Sequence, residues 1–169
     1  MDLVTPWLLN APPRFALLHG DYRLDNLLFD GDRVSVVDWQ TLGGVGLAGG
    51  RDLAYFTGTS LEPALRAEAE RDLVAEYHRA LLDTGVNDYD DAACWHDYVL
   101  GMVQVPLISA LGCAFAVETE RGDDMMAAML RRGMCGHPRS RHPRVDHELG
   151  AHVANPCRAP PSSARASAG

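Results

Sequence analysis

Apolar and polar positions change their rhythm once along this chain, near residue 50. Before it, short apolar runs of strand length alternate with clusters of Gly, Asp and Asn. "RFALLHG" is one such run, "NLLFD" a second and "RVSVVDW" a third. "DGD" separates the last two and is a good tight-turn signal, so a hairpin is predicted whose second strand ends at Asp38. Ahead of these, residues 1–13 read as an irregular lead-in broken by Pro6, Pro12 and Pro13, and behind them "TLGGVGLAGG" reads as a glycine-rich loop.

From Arg51 the period becomes helical. "RDLAYFTGTSL" opens with an acidic residue in its first turn, which suits the positive end of a helix dipole. In "EPALRAEAERDLVAEYHRALLDTG" the residues Leu65, Ala69, Leu73, Tyr77 and Leu81 fall on one predicted core stripe, and Gly85 is a predicted C-cap. "DDAACWHDYVLGMVQVPLISALGCAFAV" predicts a long, mostly apolar helical region kinked or broken near Pro106, and "DDMMAAMLRR" a last short helix, acidic at its start and basic at its end.

Beyond Arg132 the composition shifts. Residues 133–169 hold no Phe, Tyr, Trp or Ile, carry half of the ten prolines, and balance 5 Arg against 2 acids, whereas residues 1–132 balance 10 Arg against 21 acids. So little apolar surface does not offset ordering entropy, and residues 133–169 are expected to be a disordered or aberrant tail behind a domain at 1–132. The overall net charge of −8 argues against nucleic-acid and anionic-membrane partners. No apolar run is expected to cross a membrane, and no secretory signal is read at the N-terminus. Together with widely spaced cysteines at 94, 113, 135 and 157, this predicts reduced thiols and a cytoplasmic location. All 15 basic residues are Arg, so a mechanism that needs a lysine ammonium on a phosphate is not completed by these residues alone.

The chemistry concentrates in "HGDYRLDN" and "VVDWQ". In-line phosphoryl transfer needs a carboxylate to orient and deprotonate the acceptor hydroxyl, and hard oxygen ligands for the metal that bridges the phosphates. A His-x-Asp-x4-Asn spacing, then an Asp at the end of a hairpin strand, supplies these parts: Asp21 as base, Asn26 and Asp38 converging on metal. The match of "GVGLAG" (residues 44–49) to G-x-G-x-x-G is not read as a dinucleotide site, because "DWQTLGG" separates it from the strand and no second strand supplies an acidic residue at the expected distance.

These motifs resemble the aminoglycoside phosphotransferase and choline-kinase-like branch of the protein-kinase-like superfamily, where the catalytic loop reads H-G-D-x4-N. Gln40 in "VVDWQ", with "RDLAYFTGTSL" after it, is most similar to the ecdysteroid-kinase-like subgroup. The resemblance implies Asp21 as catalytic base, His19 as a structural member of its loop and Arg23 near the transferred phosphate. It implies Asn26 and Asp38 as magnesium and nucleotide ligands, and Asp52 as the helix aspartate supporting the loop backbone. It also implies an α+β, mainly helical fold, the C-terminal lobe of a kinase-like enzyme with a small catalytic-loop hairpin and without the N-terminal lobe. ATP and Mg2+ are the implied cofactors and a small-molecule hydroxyl the acceptor. A separate N-terminal lobe or an oligomeric partner would complete the cleft, and the chain alone is expected to be weak or inactive. The alternative is a non-catalytic remnant or binding module derived from such a kinase.

Overall fold

A computed structural model describes residues 16–39, 50–115, 117 and 119–135, all within the first of two compact units, Met1–Pro138. The lead-in, Gln40, the glycine-rich loop and the tail from residue 136 onward lie outside the described residues. What is described is mainly helical with one two-stranded antiparallel sheet, an α+β arrangement.

The sheet is the predicted hairpin. Strand β1, Leu27–Asp30, pairs with β2, Arg33–Val36, in a register that sets Leu27 against Val36 and Asp30 against Arg33. Gly31 takes the first turn position at φ 59, where a Cβ is disfavoured. The second strand ends at Val36, two residues short of the expected Asp38, because Asp38 has φ 64 and leaves the extended region. "RFALLHG" does not form a strand in its described part: only an isolated bridge at Leu18 appears before a 3-10 turn at Leu24–Asn26.

Five helices follow: α1 Gly50–Ser60, α2 Pro63–Asp83, α3 Asp91–Gly101, α4 Gln104–Phe115 and α5 Glu120–Met134. Helix α1 is central. It buries Gly50, Ala54, Tyr55, Thr57, Gly58 and Thr59, and the core around it includes Val74, Cys94, Tyr98, Met102, Val105 and Met129. Small residues permit this: a Cβ on Gly50 would stand 2.5 Å from the Tyr98 backbone nitrogen, and one on Gly101 would stand 2.9 Å from the Ala54 Cβ. Helix α2 ends at Gly85, φ 95, with Val86 N–H on the Leu81 carbonyl at 3.1 Å and Gly85 N–H on Leu82 at 3.0 Å, a Schellman stop. Asp90 caps α3 through Ala93 N–H at 2.7 Å, and Thr119 caps α5 through Gly122 N–H at 3.1 Å.

Several expectations need correction. The inward face of α2 is broader than the predicted stripe: Tyr77 and Leu81 pack partly buried against the core as expected, but Arg66, Glu70 and Val74 are buried beside them and Leu65 is 52% exposed. Polar partners make this possible: Arg66 donates to the carbonyls of Arg132 (3.1 Å) and Cys135, and Tyr98 donates to Glu70 at 3.2 Å. The break between α3 and α4 falls at Met102–Val103, not at Pro106, which sits in the first turn of α4 where a missing N–H costs nothing. Tyr98 to Val117 carries no charged residue, and Asp91–Phe115 is long and apolar enough to cross a membrane by length and composition alone; one third of its most apolar window is buried inside the fold. The last helix starts at Glu120 and runs past residue 132 to Met134. Cys94 and Cys113 are free thiols as expected, whereas Cys135 is disulfide-bonded.

Candidate active site

The loop at residues 18–26 is held from below by α1. The Asp52 carboxylate, in the first turn of that helix, accepts the His19 backbone N–H at 2.7 Å and the Gly20 N–H at 3.1 Å. Gly20 has φ 86, so this loop needs glycine there. His19 is 3% exposed and its ring joins three segments. Nδ1 accepts the Asp21 backbone N–H at 3.2 Å, which leaves the proton on Nε2 to be donated to the Val37 carbonyl at 2.9 Å. The ring also lies 4.7 Å from that of Trp39, whose indole N–H bonds the Val36 carbonyl.

Around Asp21 the loop folds back on itself. Arg23 Nε donates to both Asp21 oxygens at 3.0 Å, and the Asn26 side-chain N–H donates to the Asp21 carbonyl at 2.8 Å and to Oδ2 at 3.0 Å. Burial opposes the Arg23 charge, but the hydrogen bond and charge of Asp21, with the charge of Asp25, outweigh it and raise the Arg23 pKa. Beneath them Tyr55 is 2% exposed, and burial first, then the Asp21 charge, push its phenol well above the usual range. The Ser60 hydroxyl accepts the Leu24 N–H at 3.1 Å and pins the 3-10 turn.

Asn26 and Asp38 stand at the open end of the hairpin. Val37 N–H bonds the Asn26 carbonyl at 3.0 Å, and Asp38 is the next residue. Because the Asn26 nitrogen is engaged twice by Asp21, its Oδ1 faces elsewhere and accepts no hydrogen bond among the described residues. Asp38 is exposed, and its carboxylate has no partner among the described residues. One amide and one carboxylate oxygen are hard donors of the kind that would hold a Mg2+. Among the described residues no three His, Cys, Asp or Glu side chains gather as a metal cluster.

The helical body thus carries a loop and hairpin on which Asp21, Arg23 and Asn26 are joined by hydrogen bonds, with Asp38 exposed at the hairpin's end. Residues 4–86, just under half of the chain, match the model of the ecdysteroid kinase-like family. No curated protein and no solved structure matches the chain.

Asp25, Tyr55, Ser60 and Met125 also meet this loop, and sequence reasoning does not single them out. Asp25 has a readable signal, being two residues from Arg23 in a turn that places it on the guanidinium at 3.0 Å. Tyr55 lies three residues after Asp52 and shares its helix face. Ser60 and Met125 have no such signal, since each meets the loop only through the tertiary fold.

Proposed function

We propose that this chain carries the catalytic half of an ATP- and Mg2+-dependent phosphoryl transfer to a small-molecule hydroxyl. Asp21 orients the hydroxyl and accepts its proton. Asn26 and Asp38 would hold the metal, which would supply charge neutralisation on the phosphates. Arg23 donates to the transferred phosphate, His19 keeps the loop in shape, and Asp52 anchors its backbone. The observation carrying this reading is the pair of unengaged oxygens on Asn26 and Asp38 beside an Asp21 that Asn26 itself holds.

The reading keeps the expected cytoplasmic location and, on the net charge of −8, takes no nucleic-acid partner. It takes Asp91–Phe115 as core helices rather than a membrane span, since the stretch is broken at Met102–Val103 and holds Cys94, Tyr98 and Val105 at 0% exposure. With no lysine among the 169 residues, the chain alone turns over ATP slowly or not at all, and a partner lobe supplies what it lacks. Calorimetric titration with Mg-ATP tests the half-site: binding is expected, and Asp38→Ala and Asn26→Ala abolish it. No binding to the unmodified chain would sink the reading in favour of a remnant or binding module. Brisk product formation by the purified chain, lost in Asp21→Asn, would overturn the expected low activity.

A further inference from the structure

Arg23 has five N–H donors, and their assignment is uneven. Nε spans both oxygens of Asp21 at 3.0 Å, while Nη1 is turned to Asp25 Oδ2 at 3.0 Å and to the Met125 sulfur of α5. Nη2 makes no hydrogen bond among the described residues. An arginine facing one carboxylate ordinarily prefers two parallel N–H···O bonds, fork to fork. Here that arrangement would take an Nη group to Asp21 and close the open edge.

We propose that Asp25 is a positioning residue, which turns the Arg23 guanidinium so that Nη2 stays open beside Asp21. Asp25 is placed to do so because its turn is rigid: Asn26 N–H bonds the Arg23 carbonyl at 2.9 Å and Leu24 N–H bonds Ser60. The side chain of Arg23 is 19% exposed and that of Asp25 43%, so the guanidinium end of the pair is shielded and the carboxylate end is open to solvent. Arg121 also reaches Asp25, at 3.4 Å, but it is 92% exposed and contributes little. That the open edge donates to the transferred phosphate rests on the proposed function; the orientation of the guanidinium does not.

The test is NMR of the full chain labelled with 15N-arginine, the Arg23 signals being assigned by their loss in Arg23→Lys. In the unmodified chain the Arg23 Nη1 and Nη2 signals are expected to be separate. They merge or shift in Asp25→Ala and in the near-isosteric Asp25→Asn, keep their separation in Asp25→Glu, and are unmoved by Arg121→Ala, with the backbone amide spectrum reporting that each variant is folded. Addition of inorganic phosphate shifts Nη2 in the unmodified chain and about tenfold less effectively in Asp25→Ala. Arg23 signals identical in Asp25→Ala, Asp25→Asn and the unmodified chain overturn the positioning role. If phosphate leaves Nη2 unmoved while Asp25→Ala still alters Arg23, positioning stands and the phosphate reading fails.

Discussion

The loop-and-hairpin segment, residues 16–39, and the helical body, residues 50–135, use their polar groups in opposite ways. In the segment, Leu28, Phe29 and Val34 are exposed and order comes from hydrogen bonds that end on backbone: Asp52 on His19 and Gly20, His19 on Val37, Asn26 on Asp21. In the body, apolar packing around α1 supplies the order, and polar groups such as Arg66, Glu70, Thr57 and Asp97 are sealed inside it with partners. A segment held by directed bonds keeps its donors and acceptors in fixed positions while staying open to solvent. A body held by packing supplies the rigid floor on which those bonds end.

Removing the innermost partner tests this contrast most severely. Arg66→Ala strips the carbonyls of Arg132 and Cys135 of their donor and removes one of the two arginine charges, with Arg71, that act on buried Glu70. A loss of about 3–5 kcal/mol is expected in urea unfolding of the whole body. A loss below about 1 kcal/mol would mean that the body tolerates an open polar core. Asp52→Ala should be milder and local, about 2–3 kcal/mol for two lost charge-assisted bonds. Its mark is faster hydrogen exchange at the His19 and Gly20 amides with exchange in α3 unchanged; equal acceleration in both would erase the distinction between the regions.

The smallest effect is a pH dependence. Burial raises the Glu70 pKa, against the Tyr98 hydrogen bond and the Arg66 charge. The folded state therefore holds the Glu70 proton more tightly than the unfolded chain does. Its contribution is complete below the ordinary carboxylate range and is lost as pH rises through the folded value. Glu70→Gln should flatten that decline between mildly acidic and neutral pH, and identical urea midpoints against pH in both proteins would refute the assignment.

Legibility divides along the same line. The hairpin announces itself through "DGD", because a turn needs left-handed backbone that few residues supply. The spacing from His19 to Asn26 and on to Asp38 is local, so the hydrogen bonds among these residues follow from neighbours in the chain. The α2 face departs from its apolar stripe at its first turns, since hydrophobicity favours Leu65 inward and only the distant carbonyls of Arg132 and Cys135 justify Arg66 there, whereas Tyr77 and Leu81 pack as the stripe predicts. The α3–α4 break is misleading in sequence for a related reason: Pro106 signals an ending, yet the first turn of a helix accepts proline as readily. Asp25 becomes legible only when Arg23 is read for the direction of its donors as well as for its charge.

The left-handed backbone of Asp38 filters inheritance as well as chemistry. Among the residues one base change away from an aspartate codon, Gly, Asn and to a lesser degree His enter that conformation, while Val, Ala, Glu and Tyr meet a steric barrier before any ligand is considered. Asn keeps an oxygen there and gives up the charge, whereas Gly keeps only the bend. A lineage drifting away from metal binding at this position would therefore be expected to pass first through Asn or Gly. A chain carrying Asp38→Asn or Asp38→Gly would keep its fold while its chemistry fell silent.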